Sequence, residues 1–221
     1  MSTADVLSEV RLPLLVDASS RIQVGIPDSK GWLSLEREES TALESLFVAI
    51  PRSLEKVDAP ISAVDSILFC EGPGSTLGLR VAAMVVKTIA RENKPSPTLF
   101  TYNALDLAAI LTSEPSRPIL AHFRKGKRLL RSSNSGSAIG SIEVIEEPIS
   151  ESLLRQAIHL PSPRSWETLP KGLDALDYDL SHIGGLSGLT RILRPVEMPE
   201  VFTPLPAAFR KWKPARDLSP K

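Results

Sequence analysis

A mixed α/β fold follows from three features of the 221-residue chain. Short aliphatic runs alternate with segments of helical period, and clusters of glycine and proline separate them. Hydrophobic residues make up 42% against 24% charged, a balance that supports a packed core rather than a disordered chain. The length allows one large domain or two small lobes. Lys+Arg and Asp+Glu number 26 each, so no global electrostatic footprint for nucleic acid exists. The charge is uneven, however. Residues 1–90 hold 8 basic and 12 acidic side chains, and residues 91–221 hold 18 and 14. A single cysteine permits neither an internal disulfide nor a Cys-rich zinc site. No apolar stretch is long enough to span a bilayer. Met1–Val10 lacks the basic start and apolar middle of a signal peptide, so a soluble, cytoplasmic protein with no membrane partner is expected.

Leu14-Leu15-Val16 is a continuous apolar run suited to a strand buried on both faces. Asp17-Ala18-Ser19-Ser20 supplies turn formers, and Ile22, Val24 and Ile26 then alternate as a second strand. A third strand is expected over Trp32–Leu35. Leu43, Leu46, Phe47, Ile50, Leu54 and Val57 fall on steps of three and four, one face of a helix. Thr41 and Glu44 form a capping box at its start. Pro51 is expected to kink or interrupt it. Ile67–Cys70 reads as a buried strand. The helix from Gly78 to Ala90 is aliphatic on almost every side, so it must be covered on several faces. Tyr102–Leu111 is expected to be helical with Asn103 as cap. Pro118–Phe123 and Arg128–Ser132 read as strands around a basic turn, and Ser132–Ser141 as a flexible Ser/Gly segment. Ile142–Ile145 reads as a strand and Glu151–Ile158 as a short helix. Proline density then rises, and the end of the chain is expected to pack as an extended arm. No internal repeat is visible.

Glu71-Gly72-Pro73-Gly74-Ser75-Thr76-Leu77-Gly78-Leu79-Arg80 joins a strand to a helix. Such a loop exposes N–H groups at the positive end of the helix dipole, or simply makes a tight turn. It is not a phosphate-binding P-loop, because Pro73 stands at the first glycine position and Leu79 at the lysine. A dinucleotide fingerprint fails because its third glycine would fall on Leu77. Peptidase chemistry lacks a metal site, since His122, His159 and His182 have no pairwise spacing that places two imidazoles together. Each histidine is expected on a surface or loop. Cys70 reads as a small core residue. No G-x-S-x-G elbow occurs. His182–Gly188 superficially resembles a phosphate loop but reads as a helix or turn in the C-terminal part. The basic turn Arg124–Arg128 and the tail residues Arg210, Lys211, Lys213 and Arg216 read as solvated loops or as weak RNA contacts.

Gly72-Pro73-Gly74-Ser75 with Gly78-Leu79-Arg80 closely resembles the Gly-Pro-Gly-Ser-Phe-Thr-Gly-hydrophobic-Arg signature of the TsaB family, once labelled peptidase M22-like. Thr76-Leu77 departs from it. Leu14–Ser20 resembles the family's opening strand and Asp-Thr-Ser turn, and Phe209-Arg210 loosely resembles its closing motif. The match is good over about residues 12–92, suggestive to about 131 and weak beyond. The resemblance implies an actin-like (ASKHA, RNase H-like) fold of two lobes, each a mixed sheet with helices. The first lobe would cover 1–100, with the tail from about 196 to 221 packing back on it, and the second 101–195. The resemblance also implies a catalytically silent accessory subunit that binds and activates a TsaD subunit in tRNA N6-threonylcarbamoyladenosine modification. A TsaE-type ATPase would join the pair, tRNA would be met only through the complex, and a homodimer could form when the chain is alone.

Carried onto this sequence, the partner surface comprises Leu43, Leu46, Phe47, Ile50 and Leu54 on one helix, and Leu79, Val81, Met84 and Val85 on the other. The motif loop comprises Gly72, Pro73, Gly74, Ser75, Gly78 and Arg80. Asp17 stands where actin-like ATPases hold hydrated magnesium, so ATP or ADP with magnesium is the cofactor it would admit. The simpler role is a hydrogen bond to the turn at Ser19 and Ser20. Otherwise no cofactor of its own is expected. The competing function is a small kinase or ATPase of the same fold.

Overall fold

The computed structural model describes residues 10–39, 42–134, 137–160 and 172–205. The chain builds two sheets. The first holds β1 (Pro13–Asp17), β2 (Ile22–Pro27), β3 (Trp32–Glu38), β4 (Ser66–Gly72), β5 (Thr98–Asn103) and the late β11 (Arg194–Val196), in the order β11-β5-β4-β1-β2-β3. β1, β2 and β3 form an antiparallel meander, while β4 lies parallel to β1, and β5 parallel to β4. Parallel neighbours need a crossover. Helix α1 (Ala42–Glu55) lies in the connection from β3 to β4, and α2 (Thr76–Glu92) in that from β4 to β5.

Helix α3 (Ala104–Leu111) leads to the second sheet, made of β6 (Ile119–Arg124), β7 (Lys127–Asn134), β8 (Ser137–Glu146), β9 (Ile158–Leu160) and β10 (Asp174–Ala175). Its order is β10-β9-β6-β7-β8, with antiparallel β6–β7–β8 and parallel β6–β9–β10. Starting from β6 this is the order that β1 to β5 follow. The short α4 (Glu151–Gln156) precedes β9 as α1 precedes β4. The two halves therefore repeat one mixed α/β topology, that of the actin-like fold. Among the described residues no helix is long and apolar enough to cross a membrane.

Strand β1 is buried throughout, and its alternation divides the core. Leu14 and Val16 join Ile67, Phe69, Leu46, Ile50, Ala82 and Val86 on the side covered by α1 and α2. Leu15 joins Leu68, Cys70, Phe100 and Tyr102 on the other side. There the chain returns from the second sheet, and Tyr178, Leu180, Ile183 and Leu189 close that face. Arg21 and Arg37 both donate to Asp179, at 2.6 and 2.7 Å, and the Trp32 indole donates to the Ile183 carbonyl. Residues 178–196 thus pack on the first sheet, and Phe202 N donates to the Glu71 carbonyl. The tail beyond Leu205, with its basic cluster and Phe209-Arg210, lies outside the described residues, as does Thr41 of the capping box.

Several sequence expectations need correction. Helix α1 runs unbroken through Pro51. Proline withholds one N–H from the carbonyl of Phe47, a residue 67% exposed where water can serve instead. Burial of Leu46, Ala49, Ile50 and Leu54 contributes roughly 1.5–3 kcal/mol for each large side chain, against about 3 kcal/mol for an interior proline. The segment Ser132–Ser141 is not a flexible linker, because its described residues belong to β7 and β8, which pair through Ser132 and Ser141. Tyr102 belongs to β5, a strand the sequence pattern did not indicate. Helix α3 starts only after Asn103, whose side chain accepts from Leu105 N. His159 is a buried strand residue rather than a surface one.

In the second half, Arg131 and Asp106 form a fully buried ion pair at 2.8 Å, and the same carboxylate oxygen accepts from Gly140 N. The pair ties α3 to β7 and β8. Asp106→Ala would leave a guanidinium stranded in the core. It is expected to cost about 3–5 kcal/mol, measurable as a lower midpoint in urea unfolding.

Candidate partner-binding face and the Asp17 turn

Helices α1 and α2 lie side by side on the first sheet and leave an apolar groove of about 810 Å³ between them. On α1, Ser45, Leu46, Ala49, Ile50, Ser53 and Leu54 are buried. Buried Ser34 holds the helix to β3 by donating to the Ser53 carbonyl at 2.9 Å. The adjoining stripe, Leu43, Phe47 and Pro51, recurs every four residues and is exposed. On α2 the buried face is Gly78, Leu79, Ala82, Ala83, Val86 and Ile89. Met84 is exposed, and Val81 and Val85 are half-buried.

The structure therefore sorts the expected interface residues into two groups. Leu43, Phe47, Val81, Met84 and Val85 present surface to the groove, with Leu43, Phe47 and Met84 exposed by 54%, 67% and 62%. Leu46, Ile50 and Leu54 form its floor, and Leu79 is a core residue outside it. Pro51, Ala59, Ile61 and Thr88 also line the groove. Sequence periodicity passed over them because Pro51 breaks the aliphatic pattern and Ile61 follows the helix. Exposed apolar side chains gathered in one groove between two helices are the kind of contiguous apolar surface that proteins seldom leave in water.

The motif loop has a different task. Ser75 caps α2 by accepting from Gly78 N at 3.2 Å, and Ser75 N donates to the Ser19 carbonyl at 2.7 Å. A Cβ on Gly74 would collide with that same Ser19 carbonyl, and one on Gly78 would lie 2.6 Å from the Ala18 carbonyl. The glycines let the loop pack backbone to backbone on the β1–β2 turn. Arg80, one turn into the helix, is exposed and lines the groove. Gly72 and Pro73 close β4.

At the same turn Asp17 is wholly buried. Its Oδ1 accepts from Ser19 N (2.8 Å) and Ser19 Oγ (2.6 Å). Its Oδ2 accepts from the hydroxyls of Tyr102 (2.7 Å) and Tyr178 (2.8 Å). Four donors from this chain occupy the carboxylate, so hydrated magnesium would have to displace one of them. The Ser19 contact was legible in the sequence. The tyrosines were not, being 85 and 161 residues away. Burial first, and the Asp17 charge second, push both phenols and the Cys70 thiol well above their usual ranges.

The second glycine-rich segment makes a similar splice. The backbone of Leu186 donates to Asp28 O at 2.8 Å and that of Ser187 to Ser29 O at 3.2 Å. Gly185, at φ +58°, sits so close to the β2–β3 turn that a side chain would strike the carbonyls of Asp28 and Gly31. Its N–H groups are thus turned to the chain itself, against the first sheet. In the β6–β7 turn, Lys127 pairs with Glu146 and Arg128 with Glu147. The described residues contain no cluster of three or more metal-ligating side chains.

The family model for TsaD, described as tRNA N6-adenosine threonylcarbamoyltransferase, matches residues 39–153. The chain belongs to this family. Among solved structures it is similar to a Pseudomonas aeruginosa protein described as similar to peptidase YeaZ, with a TM-score of 0.53 and 18% identity over 67% of this chain and 74% of that one. It is likewise similar to YeaZ from Pseudomonas aeruginosa, with a TM-score of 0.52 and 19% identity over 68% and 76% of the two chains. No curated protein matches the sequence. Within the TsaD family the fold is the YeaZ-like (TsaB-like) one, and the matched stretch contains both groove helices and the motif loop.

The chain has only two tyrosines, and both donate to Asp17. A group whose pKa is raised on folding contributes stability that is complete below its unfolded value, about 10 for tyrosine, and lost as pH rises through the folded one. Phenolate absorbance should therefore stay flat through pH 10 in the native protein. It should then rise together with alkaline unfolding followed by circular dichroism. A separate titration of either tyrosine near pH 10 in folded protein would show that the network is open.

Proposed function

We propose that the chain is a non-catalytic accessory subunit that binds and activates a TsaD-type catalytic subunit in tRNA N6-threonylcarbamoyladenosine modification, through the groove between α1 and α2. The observation that carries this is the exposure of Leu43, Phe47 and Met84 around an apolar groove on two otherwise well-packed helices. Family membership supports the pathway. The occupied carboxylate of Asp17 and the backbone splices of both glycine segments support a role without chemistry of its own and with no resident cofactor. A TsaE-type ATPase joining the pair, tRNA met only through the complex, self-association through the same face when alone, and a cytoplasmic setting complete the proposal.

Activation by such a subunit is a population shift. A partner that prefers the competent state of the enzyme raises that state by the difference of its two affinities. Phe47 and Met84 are the side chains to test, because their exposure separates binding from folding better than the half-buried Val81 and Val85. Phe47→Asp and Met84→Asp should leave the melting temperature within a few degrees of wild type. Each should weaken binding to the TsaD-type subunit from the same organism by at least about 30-fold, the scale of a central contact residue. Calorimetry showing unchanged affinity for both variants would remove the groove from the interface.

A further inference from the structure

The groove is apolar, but a basic stripe runs along α2 beside it, with Arg80 and Met84 lining the groove and Lys87 and Arg91 just outside its lining. Arg80, Met84, Lys87 and Arg91 follow steps of four, three and four, which places them within an arc of about 60° on the helix surface. Arg80 and Arg91 are exposed and Lys87 is half-exposed. None of the three cations forms an ion pair among the described residues. Other described cations are paired, Lys56 with Glu36, Lys127 with Glu146 and Arg128 with Glu147, while Lys30, Lys125 and Arg191 are likewise without an ion pair; what sets the α2 cations apart is their alignment beside the exposed Met84. The acids near the groove lie off this stripe. Glu55 lines the α1 side, Glu92 points about 100° away from Arg91 at the helix end, and Glu44 is already engaged within the chain. Arg52 of α1, which does not line the groove, is held by Glu38 at 2.9 Å.

We propose that the groove selects a partner segment with acidic side chains along its α2-facing edge, about one per helical turn, beside apolar residues that meet Phe47 and Met84. This rests on the accessory-subunit reading and specifies the chemistry of the TsaD-type surface that docks. Charge complementarity of this kind acts mainly on partner choice and encounter rate, because exposed pairs contribute little singly. The stripe therefore distinguishes the right partner from other apolar helices.

The test uses the full chain carrying Arg80→Gln, Lys87→Gln and Arg91→Gln together, with the TsaD-type subunit from the same organism at low and high salt. Wild type should lose about tenfold in affinity from low to high salt. The triple variant should bind about tenfold more weakly at low salt and show a flattened salt response. A triple variant that binds like wild type at both salts overturns the proposal. If it is poorly folded, Arg80→Gln and Arg91→Gln singly report the same slope. Phe47→Asp separates the two claims. If it abolishes binding while the charge variants do nothing, docking at the groove stands and the acidic partner edge falls. If wild type fails to bind the subunit at all, both fall. If the chain instead self-associates and the charge variants shift that equilibrium, the occupant is a second copy and the proposal is overturned.

Discussion

The first half of the molecule is organised around one buried carboxylate. Asp17 ends the central strand of the six-stranded sheet, where a lone charge would be expensive to desolvate. Two bonds from Ser19 shape the turn, and two tyrosine hydroxyls bring in β5 and the returning segment before the short helix Gly185–Leu189. The shaped turn then presents the carbonyls of Ala18 and Ser19 to the Gly74–Gly78 loop, which sets where α2 begins. The orientation of the groove is thus linked through backbone contacts to a hydrogen-bonded core cluster. The four hydrogen bonds to this one carboxylate tie together the β1–β2 turn, β5 and the returning segment.

That arrangement explains why the outward faces of α1 and α2 remain free for another role. Their inner faces bury enough aliphatic surface to hold them on the sheet, even with a proline inside α1. Leu43, Phe47 and Met84 leave more than half of their surface outside that packing. Exposed large apolar side chains carry an aggregation hazard unless something covers them. The proposed protein–protein role would account for them, and the aligned cations beside them would narrow the kind of surface that fits.

The helices, the first strands and the motif loop were legible in the sequence because each is a local pattern. Period-two and period-four spacing marked Ile22–Ile26 and Leu43–Leu54, and glycines at 72, 74 and 78 marked a tight strand-to-helix turn. Contacts that span the chain were hidden. Nothing near Tyr178 indicates that its hydroxyl meets Asp17, nor does His182–Gly188 show that its glycines pack on the Asp28–Gly31 turn. Strand β5 escaped because Thr98–Asn103 mixes polar and aromatic residues and runs directly into a helix. The Ser/Gly run at 132–141 looked loose, yet hairpin pairing and the buried Arg131 order its described residues. The shared strand order of the two sheets left no repeat in the sequence, since topology is carried by patterning rather than by residue identity.

The decisive point is which surface is covered when the partner binds. Amide hydrogen exchange of the full chain, with and without the TsaD-type subunit, addresses it directly. Helices buried at an interface open less often, so their exchange slows. The account predicts added protection concentrated in residues 42–55 and 76–92, with β6–β8 unchanged. Protection confined to β6–β8, with α1 and α2 exchanging as in the free chain, would contradict it.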